Sequence, residues 1–77
     1  MISFFILEEL LTVGSMITGR EFEIIRLVET GLSSKEIANK LFLSVHTINT
    51  HRRNTLTKAG KESMSELIYN LMDRGVL

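Results

Sequence analysis

Ser33-Ser34-Lys35-Glu36-Ile37-Ala38-Asn39-Lys40-Leu41-Phe42-Leu43-Ser44-Val45-His46-Thr47-Ile48-Asn49-Thr50-His51-Arg52-Arg53-Asn54 decides how this chain folds. It opens with Ser-x-x-Glu, the box in which a hydroxyl and a carboxylate each satisfy one orphan donor at a helix start. The helix that follows spans about 34–41, with Ile37, Ala38 and Leu41 inward. Phe42-Leu43-Ser44 leaves room only for a tight connection, and Ser44 caps a longer helix over about 45–58 that Gly60 stops. Two helices that cross closely at a short turn need a small residue at the contact and apolar anchors on both sides. Ala38 is the small residue, and Ile37, Leu41, Leu43 and Ile48 are the anchors. These are the parts of a helix-turn-helix, although the glycine often found in such turns is missing.

Working outward, Thr18-Gly19-Arg20-Glu21 is a second capping box and opens a helix over about 19–30, closed by Gly31. Its apolar residues Phe22, Ile24, Ile25, Leu27 and Val28 sweep more than half the circumference, so it is expected to be largely buried. A third box, Ser63-Met64-Ser65-Glu66, opens a helix over about 64–73 that Gly75 ends. Met64, Leu67, Ile68, Leu71 and Met72 form an apolar stripe of helical period on it, with Tyr69 expected half-buried and not catalytic. No stretch shows strand alternation. The fold class is therefore all-α, a four-helix domain over 18–77, preceded by an N-terminal extension over 1–17. In that extension Phe4, Phe5, Leu7, Leu10 and Leu11 suit an extra amphipathic helix. Such a helix packs on the domain, serves as an oligomer surface, or is the remnant of an upstream domain.

Seventy-seven residues make one domain near the lower size limit for a self-sufficient core, which calls for efficient helix packing or a partner chain. At 44% apolar and 23% charged the chain is too hydrophobic for disorder. It has no cysteine, hence no disulfide framework and no thiolate zinc site, in keeping with a reducing cytoplasm. Ile2-Ser3-Phe4-Phe5-Ile6-Leu7 lacks a basic flank and is interrupted by Glu8-Glu9, unlike a signal peptide. No run approaches the roughly 20 apolar residues of a membrane span, so a soluble, cytoplasmic protein is expected.

The formal net charge is zero, which argues at first against a nucleic-acid partner. The distribution says otherwise: from Ile37 to Lys61 the chain carries Lys40, Arg52, Arg53, Lys58 and Lys61 and no acidic residue. On the 45–58 helix His46, Asn49, Thr50, Arg53 and Thr57 line up as a polar stripe opposite Val45, Ile48, Leu56 and Ala59, which are expected to face the core. Asn pairs with adenine, Arg with guanine, and a threonine methyl can meet the thymine methyl in the major groove. Thr47, His51, Arg52 and Lys58 flank the stripe where phosphates would lie, and Lys35 sits where a first helix crosses the backbone.

Enzymatic chemistry has little support. His46 and His51 stand about 140° apart around a helix and cannot share a metal as an i, i+4 pair does. Glu8, Glu9, Glu21 and Glu23 read as surface or first-turn carboxylates, and no phosphate loop or nucleophile–base pair is present. No cofactor is expected.

Residues 17–41, continuing through Leu43-Ser44-Val45-His46-Thr47-Ile48-Asn49-Thr50-His51-Arg52-Arg53-Asn54, resemble the LuxR-type (GerE-like) helix-turn-helix domains of NarL/FixJ response regulators and quorum-sensing regulators. The resemblance covers about 17–76 and rests on Arg20-Glu21, Gly31-Leu32, Lys35-Glu36-Ile37-Ala38, Thr47-Ile48 and His51. It implies four helices, the third in the major groove of double-stranded DNA, and a homodimer regulating transcription. Carried over, it puts base contacts at Asn49, Thr50, Arg53 and, by the stripe, His46. Lys35, Thr47 and His51 fall at phosphate-facing or motif-stabilising positions. It places the dimer surface on the fourth helix at Met64, Leu67, Ile68 and Leu71. Asn49 stands where the family often has lysine, and Thr55 and Ala59 replace larger aliphatics, which predicts a thin core face on the third helix. Lys61 and Met64 depart from the family pattern as well. With no receiver domain in this sequence, control is expected from expression level, a partner regulator or an upstream domain. The rival expectation is a module that keeps the fold but acts by pairing with another regulator.

Overall fold

The computed structural model describes residues 17–77. Its helices are α1 (Gly19–Glu29), α2 (Ser34–Leu41), α3 (Val45–Ala59) and α4 (Met64–Asp73), and the described residues contain no strand. The expected all-α, four-helix class is what the described residues adopt. α2 and α4 begin and end where their caps predict; α1 stops one residue sooner than expected and α3 runs one residue further. The helix expected within residues 1–17 lies outside the described residues apart from Ile17. Among the described residues no helix is long and apolar enough to cross a membrane.

Two of the three capping boxes close reciprocally. Thr18 Oγ1 accepts from the Glu21 N–H at 3.1 Å while Glu21 Oε1 accepts from the Thr18 N–H at 2.9 Å. Ser33 and Glu36 repeat this at 3.2 and 3.0 Å. The third closes only halfway: Ser63 Oγ takes the Glu66 N–H, but the Glu66 carboxylate reaches Glu62 N–H at 3.3 Å and not that of Ser63. The backbone explains it, since Ser63 sits at φ −143° where Thr18 and Ser33 sit near −75°, turning its N–H away from the first turn.

All four helices end in the same way, with a left-handed residue and a 6→1 bond back to the last turn, closing at Leu32 N to Leu27 O, Leu43 N to Ala38 O, Lys61 N to Leu56 O and Val76 N to Leu71 O. Gly31, Gly60 and Gly75 take the left-handed position in three of them. In the fourth, the turn of the helix-turn-helix, Phe42 holds it at φ 57° with its ring 94% exposed. That is how the motif turns without glycine: a non-glycine residue accepts the left-handed conformation, at a cost of about 1 kcal/mol.

α1 is the spine. Ile24 and Ile25 are neighbours in sequence but about 100° apart around the helix, and each enters a different core cluster. Ile24 packs with Ile37, Ala38 and Ile48, flanked by Leu27, Leu32, Leu41 and Leu43. Ile25 packs with Ile17, Met64, Leu67 and Leu71, flanked by Phe22, Leu56, Ala59 and Ile68. Val28 touches both clusters. Among the expected inward residues of α3, Ile48 is fully buried and Leu56 and Ala59 partly so, but Val45 is 41% exposed, because the first residue of α3 stands clear of α2 at the turn.

Thr55, which stands on the core face of α3 in place of a larger aliphatic, is buried as deeply as the isoleucines. Its hydroxyl donates to the His51 carbonyl one turn back at 2.7 Å, which satisfies the polar atom and leaves the methyl for packing. Tyr69, expected half-buried, is 74% exposed, since the buried stripe of α4 is narrower than its apolar residues suggest.

Candidate nucleic-acid interface

α3 presents one face to the core through Ile48 and Thr55 and leaves the opposite face to solvent. On that outer face His46, Asn49, Arg53 and Thr57 are exposed, and Thr50 is half-exposed. Two threonines there turn their hydroxyls back on their own helix, Thr50 to the His46 carbonyl at 2.9 Å and Thr57 to the Arg53 carbonyl at 3.0 Å. With its hydroxyl engaged, Thr50 offers outward a methyl more than a donor. The Arg53 guanidinium has no ion-pair or hydrogen-bond partner among the described residues, and neither has the ammonium of Lys35, which is exposed near the start of α2.

The flanking residues divide. Thr47 is half-buried and bonded to the capping serine twice, its N–H to Ser44 Oγ at 3.0 Å and its hydroxyl at 2.9 Å. His51 is half-buried and receives the Thr55 hydroxyl on its carbonyl. Arg52 does not extend into solvent: its guanidinium donates to Ser34 Oγ at 2.8 Å, across the α2–α3 contact. Ser34 Oγ in turn donates to Asn49 Oδ1 at 2.9 Å.

Lys58 also turns inward. Its ammonium meets Glu21 Oε1 at 2.8 Å, and that carboxylate is only 3% exposed. Burial pushes the Glu21 carboxyl up, but the Lys58 hydrogen bond and the Thr18 contacts together outweigh it and hold the group below its ordinary value. Glu36 is lowered as well, chiefly by the Ser33 backbone N–H. Neither cross-helix set is visible in the sequence, because Ser34 and Asn49, or Glu21 and Lys58, meet only once α2 and α1 have packed against α3.

On α4, Met64, Leu67 and Leu71 are 7%, 1% and 0% exposed within the chain's own core. Three of the four residues expected at a dimer surface thus pack inside the chain's own core. Ile68 is half-buried, while Tyr69 and Met72 are the large apolar side chains that α4 leaves exposed.

The family model described as bacterial regulatory proteins, luxR family, matches residues 15–71, most of the chain and all of α1, α2 and α3. The chain belongs to the luxR family. Among similar proteins, the oxygen regulatory protein NreC of Staphylococcus aureus strain JH9 is 39% identical over 62 residues, 80% of this chain and 29% of the relative. The NreC proteins of strains JH1 and Mu3 match to the same extent. The chain thus spans under a third of the length of these relatives. No solved structure matches it.

Proposed function

We propose that this luxR-family chain binds a specific double-stranded DNA site in transcription regulation, with α3 lying in the major groove. The observation that carries this reading is the outer face of α3: His46, Asn49 and Arg53 exposed side by side on a helix locked against a short α2, within a segment that has no carboxylate between Ile37 and Lys61. Arg53 and Asn49 can make paired hydrogen bonds to base edges, Thr50 can meet a thymine methyl, and His46 lies at the end of α3 that enters the groove first. Lys35 and His51 are assigned to the phosphates, with Thr47 acting through the Ser44 cap. Two copies on a two-fold site are the expected assembly, paired through Ile68, Tyr69 and Met72. A DNA site places the protein in the cytoplasm, and an upstream receiver domain or partner regulator supplies the input.

A second reading, a module that pairs with another regulator and does not read DNA, is favoured by Arg52 and Lys58, whose charged ends are engaged by Ser34 and Glu21 of the chain itself. One experiment separates the two. The purified chain is mixed with a randomised duplex pool, bound duplexes are selected at low salt, and the winners are titrated across rising salt. Enrichment of a two-fold symmetric site, with affinity falling as salt rises, supports DNA reading. No enrichment sinks it in favour of the pairing module.

A further inference from the structure

We infer that Ser34 and Arg52 act as positioning residues that fix the amide of Asn49, so that this residue reads a guanine and not the adenine that asparagine ordinarily selects. The inference deepens the DNA reading above and rests on it. Three side chains from two helices form one directed chain: the Arg52 guanidinium donates to Ser34 Oγ at 2.8 Å, and Ser34 Oγ donates to Asn49 Oδ1 at 2.9 Å. The direction follows from chemistry. A guanidinium can only donate, and a serine hydroxyl carries one hydrogen and two lone pairs. Once Ser34 accepts from Arg52, its hydrogen is available for an acceptor, and the amide oxygen of Asn49 is the group that takes it.

The consequence falls on the other end of the amide. Reading adenine through N6 and N7 requires the asparagine oxygen to accept and the nitrogen to donate, side by side. Here the oxygen is drawn toward the start of α2, and the Nδ2 group is the part of the amide left for the groove. A donor-only group suits guanine, which offers two acceptors, N7 and O6, along its major-groove edge and no competing donor there. Ser34 is the first residue of α2 and Asn49 the fifth of α3, so the register of the two helices itself sets which base is accepted.

The test is base-preference profiling of the full chain, three single variants and one double variant on the selected site. Wild type is expected to prefer guanine over adenine at one position of each half-site by about tenfold. Ser34→Ala is expected to erase most of that preference and admit adenine, with the helical circular dichroism unchanged. Ser34→Thr, which keeps the hydroxyl, is expected to restore it. Asn49→Ala is expected to flatten the same position, and adding Ser34→Ala to it to change nothing further. An unchanged Ser34→Ala profile overturns the inference, as does an equal shift when Asn49 is already absent, while the DNA reading stands. If wild type itself enriches no site, the DNA reading falls and the inference with it.

Discussion

The two core clusters on either side of α1 are held together differently. Around Ile24 the helix-turn-helix packs Ile37, Ala38 and Ile48, small or β-branched residues with few rotamers to lose, and fastens its rim with the Arg52–Ser34–Asn49 hydrogen bonds. Around Ile25 the chain packs Met64, Leu67 and Leu71, longer and more adaptable, and ties the end of α3 to α1 with the ion pair between Lys58 and the buried Glu21 carboxylate. The first arrangement fixes a geometry; the second supplies area and anchors the helix that carries it. α3 belongs to both, since Ile48 lies in one cluster and Leu56 packs on the other. A defect in the α4 cluster should therefore cost stability without retuning the α3 face proposed to read DNA, and a defect beside Asn49 should do the reverse.

The largest expected effect breaks the supporting half. Leu71→Ala, at a site with no exposure, should lower unfolding free energy by about 3 kcal/mol in urea titrations. The variant that remains folded should keep the wild-type base profile; an altered profile would show that the halves are not separable. Next comes the reading half. Arg53→Ala should relax preference at one base position by about 2 kcal/mol, measured in a selected-site competition, with urea stability within about 0.5 kcal/mol of wild type. A uniform loss across all sites would instead make Arg53 a phosphate contact.

Smaller effects sharpen the contrast. Lys58→Met should cost about 1 kcal/mol, because the pair is partly solvated at the lysine end and Glu21 keeps its Thr18 partners. The same pair gives a pH dependence. Glu21 binds its proton less readily folded than unfolded, so its contribution is complete above the unfolded value near 4.5 and is lost as pH falls through the lower folded value. Denaturant midpoints between pH 6 and 3 should fall for wild type and fall less for Glu21→Gln; parallel curves would remove Glu21 from the account. The smallest change has the opposite sign. Phe42→Gly relieves a left-handed phenylalanine whose ring packs on nothing, and should stabilise by about 0.5–1 kcal/mol.

What was legible in the sequence was local. Thr18, Ser33, Ser44 and Ser63 announce helix starts because a hydroxyl satisfies donors two or three residues away, and Gly31, Gly60 and Gly75 announce ends because only the local backbone decides them. Phe42 in a glycine position went against residue type, since it is settled by one dihedral that composition does not reveal. The stripe on α4 was visible as apolar, but helical period alone does not say whether the chain or a second copy covers it; packing on Ile25 decides that Met64, Leu67 and Leu71 belong inside. The inward turn of Arg52 and Lys58 was out of reach for the same reason, because their partners come from other helices.

The Lys58–Glu21 pair carries a thermodynamic consequence for any duplex this chain grips. Each phosphate neutralised by a protein cation returns condensed counterions to solution, and log affinity then falls against log salt with a slope of about 0.9 per phosphate. An ammonium held 2.8 Å from a buried carboxylate releases those ions only if that pair opens. The grip of such a chain would therefore rest less on ion release than its tally of basic residues implies, and would persist at salt concentrations where a more cationic helix lets go.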